Sequence, residues 1–539
     1  MVDTRYCRKQ TRSALVAIWA AGVAALSMIL PPVHAQEVDS AMLAKVQSLV
    51  TAMGDPDFAV REKATILLKN LPLEAYAAVE SFLAKQADLD PETRSRLQAF
   101  QRDLRSLAVM ARRRQAMMEW NVQAAGQAYD RFGSHDPRWN ALARQAIVLT
   151  IRAQWGGAGF AEATKTLDAA RNAGCNDPLF LHYYAATKTK ATDAELRSWI
   201  ALLREAAGGM EPSDYPPERK CLVLARCGLG LAEFSGDGPA DRRDAMKYVR
   251  MAAKCFRQIR KDNELPPDFL NGLAELLCKA MTSLEFGWRE RQEITSCLER
   301  AAPGTAYPLI LEAQYCLDTA RQIIFVAGPD RQLVERPDPL QTAADCLERA
   351  WQKDPDNPRP AIEAMRDELI DRWSPEEMEK WYHRAIKADP DSLHCALQKL
   401  KYLQRHGMER QASEFAQVCR RTDNWRGGLP FILVDMHWMR AAQTDNVAAY
   451  LQQPGVWEDI RLTYERHLEL YPDDLLRRSW CAYLAVQGRQ WAEADKQLRI
   501  LGERPSMQVF GSMASYNYLR RKAARLAGAA TQPAETEGR

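Results

Sequence analysis

A chain of 539 residues is longer than one compact core accommodates, which points to several domains or an extended array. Hydrophobic residues at 47% and charged residues at 27% exclude a disordered polyelectrolyte. Lys and Arg number 73 against 70 Asp and Glu, so no large basic excess marks a general polyanion binder.

In chain order the first element is a leader. "MVDTRYCRKQTR" carries Arg5, Arg8, Lys9 and Arg12 against Asp3, and "SALVAIWAAGVAALSMIL" is apolar from Ser13 to Leu30. "PPVHA" then places Val33 and Ala35 at the small-residue positions before Gln36. This order predicts a signal peptide over residues 1–35 and an exported protein, periplasmic or secreted. The alternative is an uncleaved anchor, because 18 apolar residues are just enough to cross a bilayer; membrane contact is expected only in that case. Without the leader, 69 basic and 69 acidic residues cancel, and nucleic acid is not an expected partner.

Next comes "DFAVREKA", with Asp57, Val60, Arg61 and Ala64 in the order Asp-x-x-Val-Arg-x-x-Ala. Thirty-three residues on, "DPETRSRL" gives Asp90, Thr93, Arg94 and Leu97 at the same offsets. The pattern resembles the second helix of HEAT-type repeats. That resemblance implies an Asp that caps its helix and an Arg that reaches the corresponding Asp of a neighbouring unit. A HEAT-like segment is therefore expected over 37–105, and a long helix from about Asp90 to Arg131 is expected to join it to the repeats beyond.

Degenerate helical repeats are expected over 106–340. Ala163, Leu167 and Ala170 keep one spacing in "AEATKTLDAARNAGCNDP", and Ala245, Val249 and Ala252 keep it in "DAMKYVRMAAKCF". The pattern is plainest over 341–525. Five, eight and twelve residues before Pro355 stand Ala350, Leu347 and Ala343; before Pro390 stand Ala385, Tyr382 and Met378; before Pro472 stand His467, Tyr464 and Ile460. Such positions share one helix face, and the proline then ends the helix. An Asp or Asn beyond it is placed to cap the next one. Between Pro355 and Ala385 there is room for one more helix, "RPAIEAMRDELIDRW", and a turn at "SPEE", so each unit is a helix pair. Near the end, Ala494, Leu498 and Leu501 follow the turn at Gly488.

This spacing resembles the second helix of a tetratricopeptide repeat, whose unit is close to 34 residues. The stretch from Lys399 to Trp438 also resembles helical segments of exported bacterial repeat proteins of unknown function. The resemblance implies an all-α fold, an α-solenoid of stacked antiparallel helix pairs that binds protein or peptide partners on its surface. A polar tail over 526–539, "AGAATQPAETEGR" from Ala527, is expected to be disordered.

A chemical site is not evident. His383, His394 and Cys395 lie close in sequence with His406 near, but a repeat boundary separates the first two, so zinc ligation is not expected. His437 and Trp438 read as helix packing, Arg112 to Arg114 as a solvated face, and Glu368, Glu376 and Glu377 as surface acids. "QWGGAGF" at Gln154–Phe160 reads as a turn between helices. Eleven cysteines outside the leader form no C-x-x-C, although a pair such as Cys221 with Cys255 is open to oxidation after export. No phosphate loop, metalloprotease motif or nucleophile elbow occurs. The expectation is an exported, non-catalytic binding scaffold with no catalytic, cofactor or metal residues. The alternative is an envelope glycan-processing enzyme, or its accessory subunit, built on a helical superhelix.

Overall fold

A computed structural model describes residues 40–531, except 74, 86–88, 157–158, 189–192, 235–238, 261–263, 328–337, 367–368 and 370–371. The expected leader and Glu368 lie outside the described residues. Among the described residues every regular element is a helix, and none is long and apolar enough to cross a membrane. Two compact units form: one from the residues up to Leu104 together with those from Asp389 onward, the other from Arg105 to Ala388.

The described residues begin with α1 (Ser40–Met53), α2 (Phe58–Lys69) and α3 (Ala75–Lys85). Asp57 caps α2 as expected, accepting from the Ala59 amide at 2.8 Å. The other expectation fails. Arg61 turns back onto the carbonyls of Asp55 and Pro56, at 2.8 and 3.0 Å, instead of reaching another Asp, and Val60 is 37% exposed. The linking role falls to Arg96 of α4 (Pro91–Phe132), which bonds the Arg61 carbonyl at 3.1 Å and pairs with Glu62 at 2.8 Å. Helix α4 has 42 residues, about 63 Å of helix, and matches the predicted long helix. Asp90 caps it through the Thr93 amide at 2.9 Å.

The second unit follows as successive pairs. They are α5 (Asn140–Gly156) with α6 (Phe160–Asn172), α7 (Pro178–Ala186) with α8 (Asp193–Met210), and α9 (Pro217–Phe234) with α10 (Pro239–Gln258). Then come α11 (Pro267–Ser283) with α12 (Trp288–Ala301), α13 (Tyr307–Ala327) with α14 (Pro339–Lys353), and α15 (Arg359–Ala364) with α16 (Pro375–Ala388). The first helix of each pair packs on the first helix of the next, so α5, α7, α9, α11, α13 and α15 form one continuous row. The spaced residues read from the sequence are the contact points: Ala163, Leu167 and Ala170 of α6, Ala245, Val249 and Ala252 of α10, and Ala343, Leu347 and Ala350 of α14 are all fully buried. Small side chains there let helix axes approach closely. In α16, Ala385 and Met378 are buried, but Trp381 takes the interior place and Tyr382 is half-exposed. Glycine does the same on α9, where a Cβ on Gly228 would lie 2.5 Å from Val249 Cγ2 and one on Gly230 2.5 Å from Leu203 Cδ1.

One expected helix is shorter than the sequence suggested. Helix α15 ends at Ala364, and the indole of Trp373 donates to the Ala364 carbonyl at 2.8 Å, satisfying an acceptor that a longer helix would have used. Asn357, after Pro355, caps α15 through the Arg359 amide at 3.1 Å.

From Asp389 the chain builds α17 (Leu393–Arg405), α18 (Glu409–Arg421), a 3-10 turn at Leu429–Phe431, α19 (Ile432–Gln443) and α20 (Val447–Leu451). It closes with α21 (Pro454–Leu470), α22 (Leu475–Gln487), α23 (Trp491–Leu501), α24 (Met507–Phe510) and α25 (Met513–Thr531). Ile460, Tyr464 and His467 are buried, as are Ala494, Leu498 and Leu501. Asp474, after Pro472, caps α22 at 2.9 Å. Helix α25 runs on to Thr531, past the expected start of the tail at Ala527.

A polar clasp joins the first helices of this unit to its later repeats. Asn70, 6% exposed at the end of α2, accepts from the Trp425 and Arg426 amides at 2.8 and 3.2 Å. Its own amide donates to the carbonyls of Asp423, at 2.9 Å, and Ile66, at 2.8 Å. Tyr471 donates to the Asn70 carbonyl at 2.8 Å, and Arg426 reaches the carbonyls of Lys69 and Leu71 at 2.8 and 3.4 Å. A cation at a helix C-terminus is well placed against the free carbonyls there.

Candidate functional site

The row of first helices in the unit from Arg105 to Ala388 is covered along part of its length by the chain itself. The C-terminal half of α4 lies on it. Ala125 and Tyr129 pack in the core around α5 and α7, and Met117 and Trp120 in the core around α9 and α11. The Trp120 ring sits 4.7 Å from that of Phe269, and Asn121 Oδ1 accepts from Arg219 Nη1 at 2.8 Å. Arg219 is 1% exposed, with its guanidinium 5.7 Å from the Trp120 ring and 5.3 Å from the Phe269 ring. Burial lowers its pKa, against the opposing influence of Tyr183 and Glu218. Arg114 is half-buried, its guanidinium 5.7 Å from the Trp155 ring, which corrects the solvated-face reading for that residue; Arg112 and Arg113 are exposed as expected.

Beyond α4 the row continues as a polar ladder. Asn271 donates to Glu275 at 3.0 Å, Glu275 pairs with Arg359, and Tyr307 donates to Asp268. Gln314 donates to Glu363 at 2.7 Å, and Arg366 pairs with Asp318 at 3.0 Å. Arg291 stacks 4.6 Å from the Tyr315 ring, which also meets Trp288 at 4.8 Å. Burial opposes the charge of Arg359, but Glu275 more than offsets it and raises the pKa. His182 is pushed down to about 3 by burial, helped by Arg226 and Arg219, and is therefore neutral.

Several groups on this row and on the part of α4 that covers it have unused hydrogen-bonding capacity. Gln115 Oε1 on α4, Glu218 Oε2 and Asn271 Oδ1 are buried and have no hydrogen-bond partner, while the Tyr183 hydroxyl and the Arg219 guanidinium, also buried, interact with each other. Native interiors rarely leave such groups unmet without a reason. The arrangement offers donors and acceptors between aromatic rings.

Among the described residues no three His, Cys, Asp or Glu side chains come together in a way that could hold a metal. His383 is exposed, 3.9 Å from Glu379, while His406 stacks on Tyr402 at 4.3 Å. Cys395 is buried, its thiol pushed up to about 12. His437 does more than pack: its ring nitrogens lie 3.1 Å from the Tyr450 hydroxyl and 3.3 Å from Asp459, which in turn pairs with Arg420 at 3.1 Å. Burial lowers its pKa, with Asp459 opposing. Trp438 meets Tyr483 at 6.3 Å. Glu376 is exposed, and Glu377 forms a capping box with Ser374 at the start of α16. The Gln154–Phe160 stretch starts inside α5, and Gly159 has φ +87° just before α6. The eleven cysteines are free thiols, Cys221 and Cys255 included.

Arg219 and Asn70 were missed by sequence reasoning. Arg219 had a signal, since it falls four and eight residues before Val223 and Cys227 and so shares their buried face. Asn70 had none.

No family model matches the sequence, and no curated protein is significantly similar to it. Among solved structures, the P58(IPK) TPR domain aligns at 13% identity over 72% of this chain and 99% of its own, with a TM-score of 0.17. A human IFIT1 dimer with PPP-AAAA aligns at 14% identity over 75% of this chain and 94% of its own, with a TM-score of 0.23. A circular tandem repeat protein with novel repeat topology aligns at 14% identity over 91% of this chain and 98% of its own, with a TM-score of 0.13.

Proposed function

We propose that the protein is an exported helical-repeat scaffold that binds a protein or peptide partner and carries out no catalysis of its own. The observation that carries this reading is the row of first helices in the Arg105–Ala388 unit. There Arg219 lies near Phe269 and the Trp120 ring of the covering α4, Arg291 lies over Tyr315, and Glu218 Oε2 and Asn271 Oδ1 are buried without a partner. Aromatic rings flanked by oriented polar groups suit peptide recognition, and stacked helix pairs present such a face over a long span. The order of charged, apolar and small residues before Gln36 supports export to the periplasm or beyond.

The test is capture from envelope extract by the mature chain under mild cross-linking, read by mass spectrometry beside an Arg359→Glu variant. The expected result is a defined partner that the variant retains at least about tenfold less well, one lost charged contact being sufficient for that. Recovery of the same proteins by both chains would rule this face out as the binding surface. Reproducible glycan hydrolysis abolished by a single carboxylate replacement would overturn the non-catalytic reading.

A further inference from the structure

In the unit that contains α17 to α25, Phe431 is 1% exposed and three polar side chains converge on its ring. Arg477 of α22 places its guanidinium 3.9 Å from the ring centroid, and the Tyr464 and His467 rings lie 5.1 and 5.0 Å away. Gly428, at φ +72°, makes room for that guanidinium, since a Cβ there would stand 3.2 Å from Arg477 Nη2. Asp435, four residues after Phe431 on α19, is 4% exposed, and Arg477 and Lys401 both act on its ionisation. Lys401 belongs to α17, which packs on α19, and Gln398 precedes it by one turn on the same helix face. Arg477 and Lys401 are half-buried, so the group opens toward solvent at its cations and closes at Asp435. An aromatic floor with a few convergent polar groups is the make-up of a small-molecule site.

Opposite charges in this group do not meet. Among the described residues the Arg477 guanidinium forms no ion pair and no hydrogen bond, and Asp435 Oδ2 is buried without a hydrogen-bond partner. Gln398 Oε1, on a side chain 5% exposed, is unmet as well. Asp474 is already engaged, accepting from His467 Nε2 and from the Arg477 main-chain amide, both at 2.9 Å. A buried carboxyl without a hydrogen bond is costly, and a guanidinium within electrostatic reach ordinarily closes onto it. Here stacking on Phe431 holds the guanidinium off, and each partner keeps its capacity for a third group. An anion alone would face Asp435 and Asp474; a cation alone would face Arg477 and Lys401. A ligand with both signs on neighbouring atoms meets each charge with its opposite.

We propose that Arg477, Asp435 and Gln398 form a binding site for a free α-amino acid, whose carboxylate takes Arg477 and whose ammonium takes Asp435 and Gln398. Lys401 adds to the field that draws the carboxylate in. The end of a peptide brings only one of the two charges and leaves either Arg477 or Asp435 unanswered. The site lies in a different unit from the row of first helices, takes a small molecule, and does not rest on the partner-binding reading above.

The experiment is isothermal titration calorimetry of the full chain with each of the common amino acids in turn. At least one should bind with a Kd of about 1 mM or tighter. For the tightest binder, the amine that lacks its carboxylate and the acid that lacks its amine should each bind at least about tenfold more weakly, a charged hydrogen bond being lost in both. Arg477→Gln should weaken the intact amino acid at least about tenfold and bind the truncated amine no more weakly than wild type does. Asp435→Asn should do the converse, weakening the intact amino acid as much and binding the truncated acid no more weakly. Circular dichroism establishes that the variants are folded; should Arg477→Gln unfold the chain, the truncated ligands on the wild-type chain decide alone. Four results would each overturn the proposal: no amino acid binds, a truncated ligand binds as tightly as the intact one, each variant weakens intact and truncated ligands alike, or a tripeptide binds as tightly as its free first residue. An empty capture experiment leaves this assay unaffected, and failure here leaves the row of first helices as the partner face.

Discussion

Replacing Asn121 by leucine should destabilise the Arg105–Ala388 unit, and adding Arg219→Met should reverse most of that loss. Arg219 is 1% exposed, and its guanidinium donates to Asn121 at 2.8 Å. A hydrogen bond to a charged group contributes about 1.5–3 kcal/mol, and losing it leaves the buried cation short of an acceptor, so Asn121→Leu should cost about 3 kcal/mol. Methionine has a volume near that of arginine and removes the stranded charge. It forfeits cation–π contacts with Trp120 and Phe269 worth about 1–2 kcal/mol each and regains about 0.3–1.5 kcal/mol per sulfur–aromatic contact. Relief of a desolvation penalty of several kcal/mol exceeds that difference. The double variant should therefore lie within about 1 kcal/mol of wild type, a coupling of about 2 kcal/mol or more between the two sites. Urea titrations of the four proteins of the cycle, with hydrogen exchange of α9 as the local probe, measure it. Additive or worse-than-additive loss in the double variant would refute the argument, since it would mean that the buried guanidinium is itself a net source of stability.

Gly230→Ala should cost about 1–3 kcal/mol by overpacking, because its Cβ would meet Leu203 Cδ1 at 2.5 Å and Trp199 Cη2 at 2.8 Å; calorimetry of the variant checks it. Asp435 is 4% exposed, and burial pushes its carboxyl up to about 7 against the opposing charges of Arg477 and Lys401. A folded pKa above the unfolded value means that stability from this group is complete below about pH 4 and is lost as pH rises through about 7. Chemical denaturation should therefore show Asp435→Asn gaining on wild type between about pH 4 and 7, by up to about 1.4 kcal/mol per pH unit, and a pH-independent difference would contradict it. The cysteines are free and buried or half-buried, with Cys278 and Cys316 pushed up to about 12 by burial. A thiol-reactive dye should label the native protein at least about 100-fold more slowly than the urea-unfolded one at pH 8, thiolate being the reactive form.

The recurring helix was legible because its contact points repeat along the chain. Ala350 and Ala385 are fully buried for the reason their spacing suggested: only a small side chain lets a neighbouring helix axis come near. The same reasoning took Tyr382 for an interior residue because it fits the spacing, yet Trp381, one position earlier, fills the space and carries the Arg384 guanidinium 4.6 Å from its ring. Periodicity fixes a face to within one residue, and ring volume chooses between neighbours. The early end of α15 was hidden because its cause, an indole reaching back to Ala364, lies nine residues on. Asn70 was hidden more deeply still. Its partners Asp423 and Tyr471 are 353 and 401 residues away, and no local propensity encodes a contact at that range.

Because helices α1 to α3 share a unit with residues from Asp389 onward, that unit is completed only when the last repeats have emerged. During synthesis, and during any export thread by thread through a membrane pore, those three helices wait for the contacts that Asn70 makes with Trp425, Arg426 and Tyr471, while the intervening 284 residues, Arg105 to Ala388, condense by nearer-neighbour contacts. Closing so long a loop is slow, so the amino-terminal helices are the segment with the longest need of a holding chaperone.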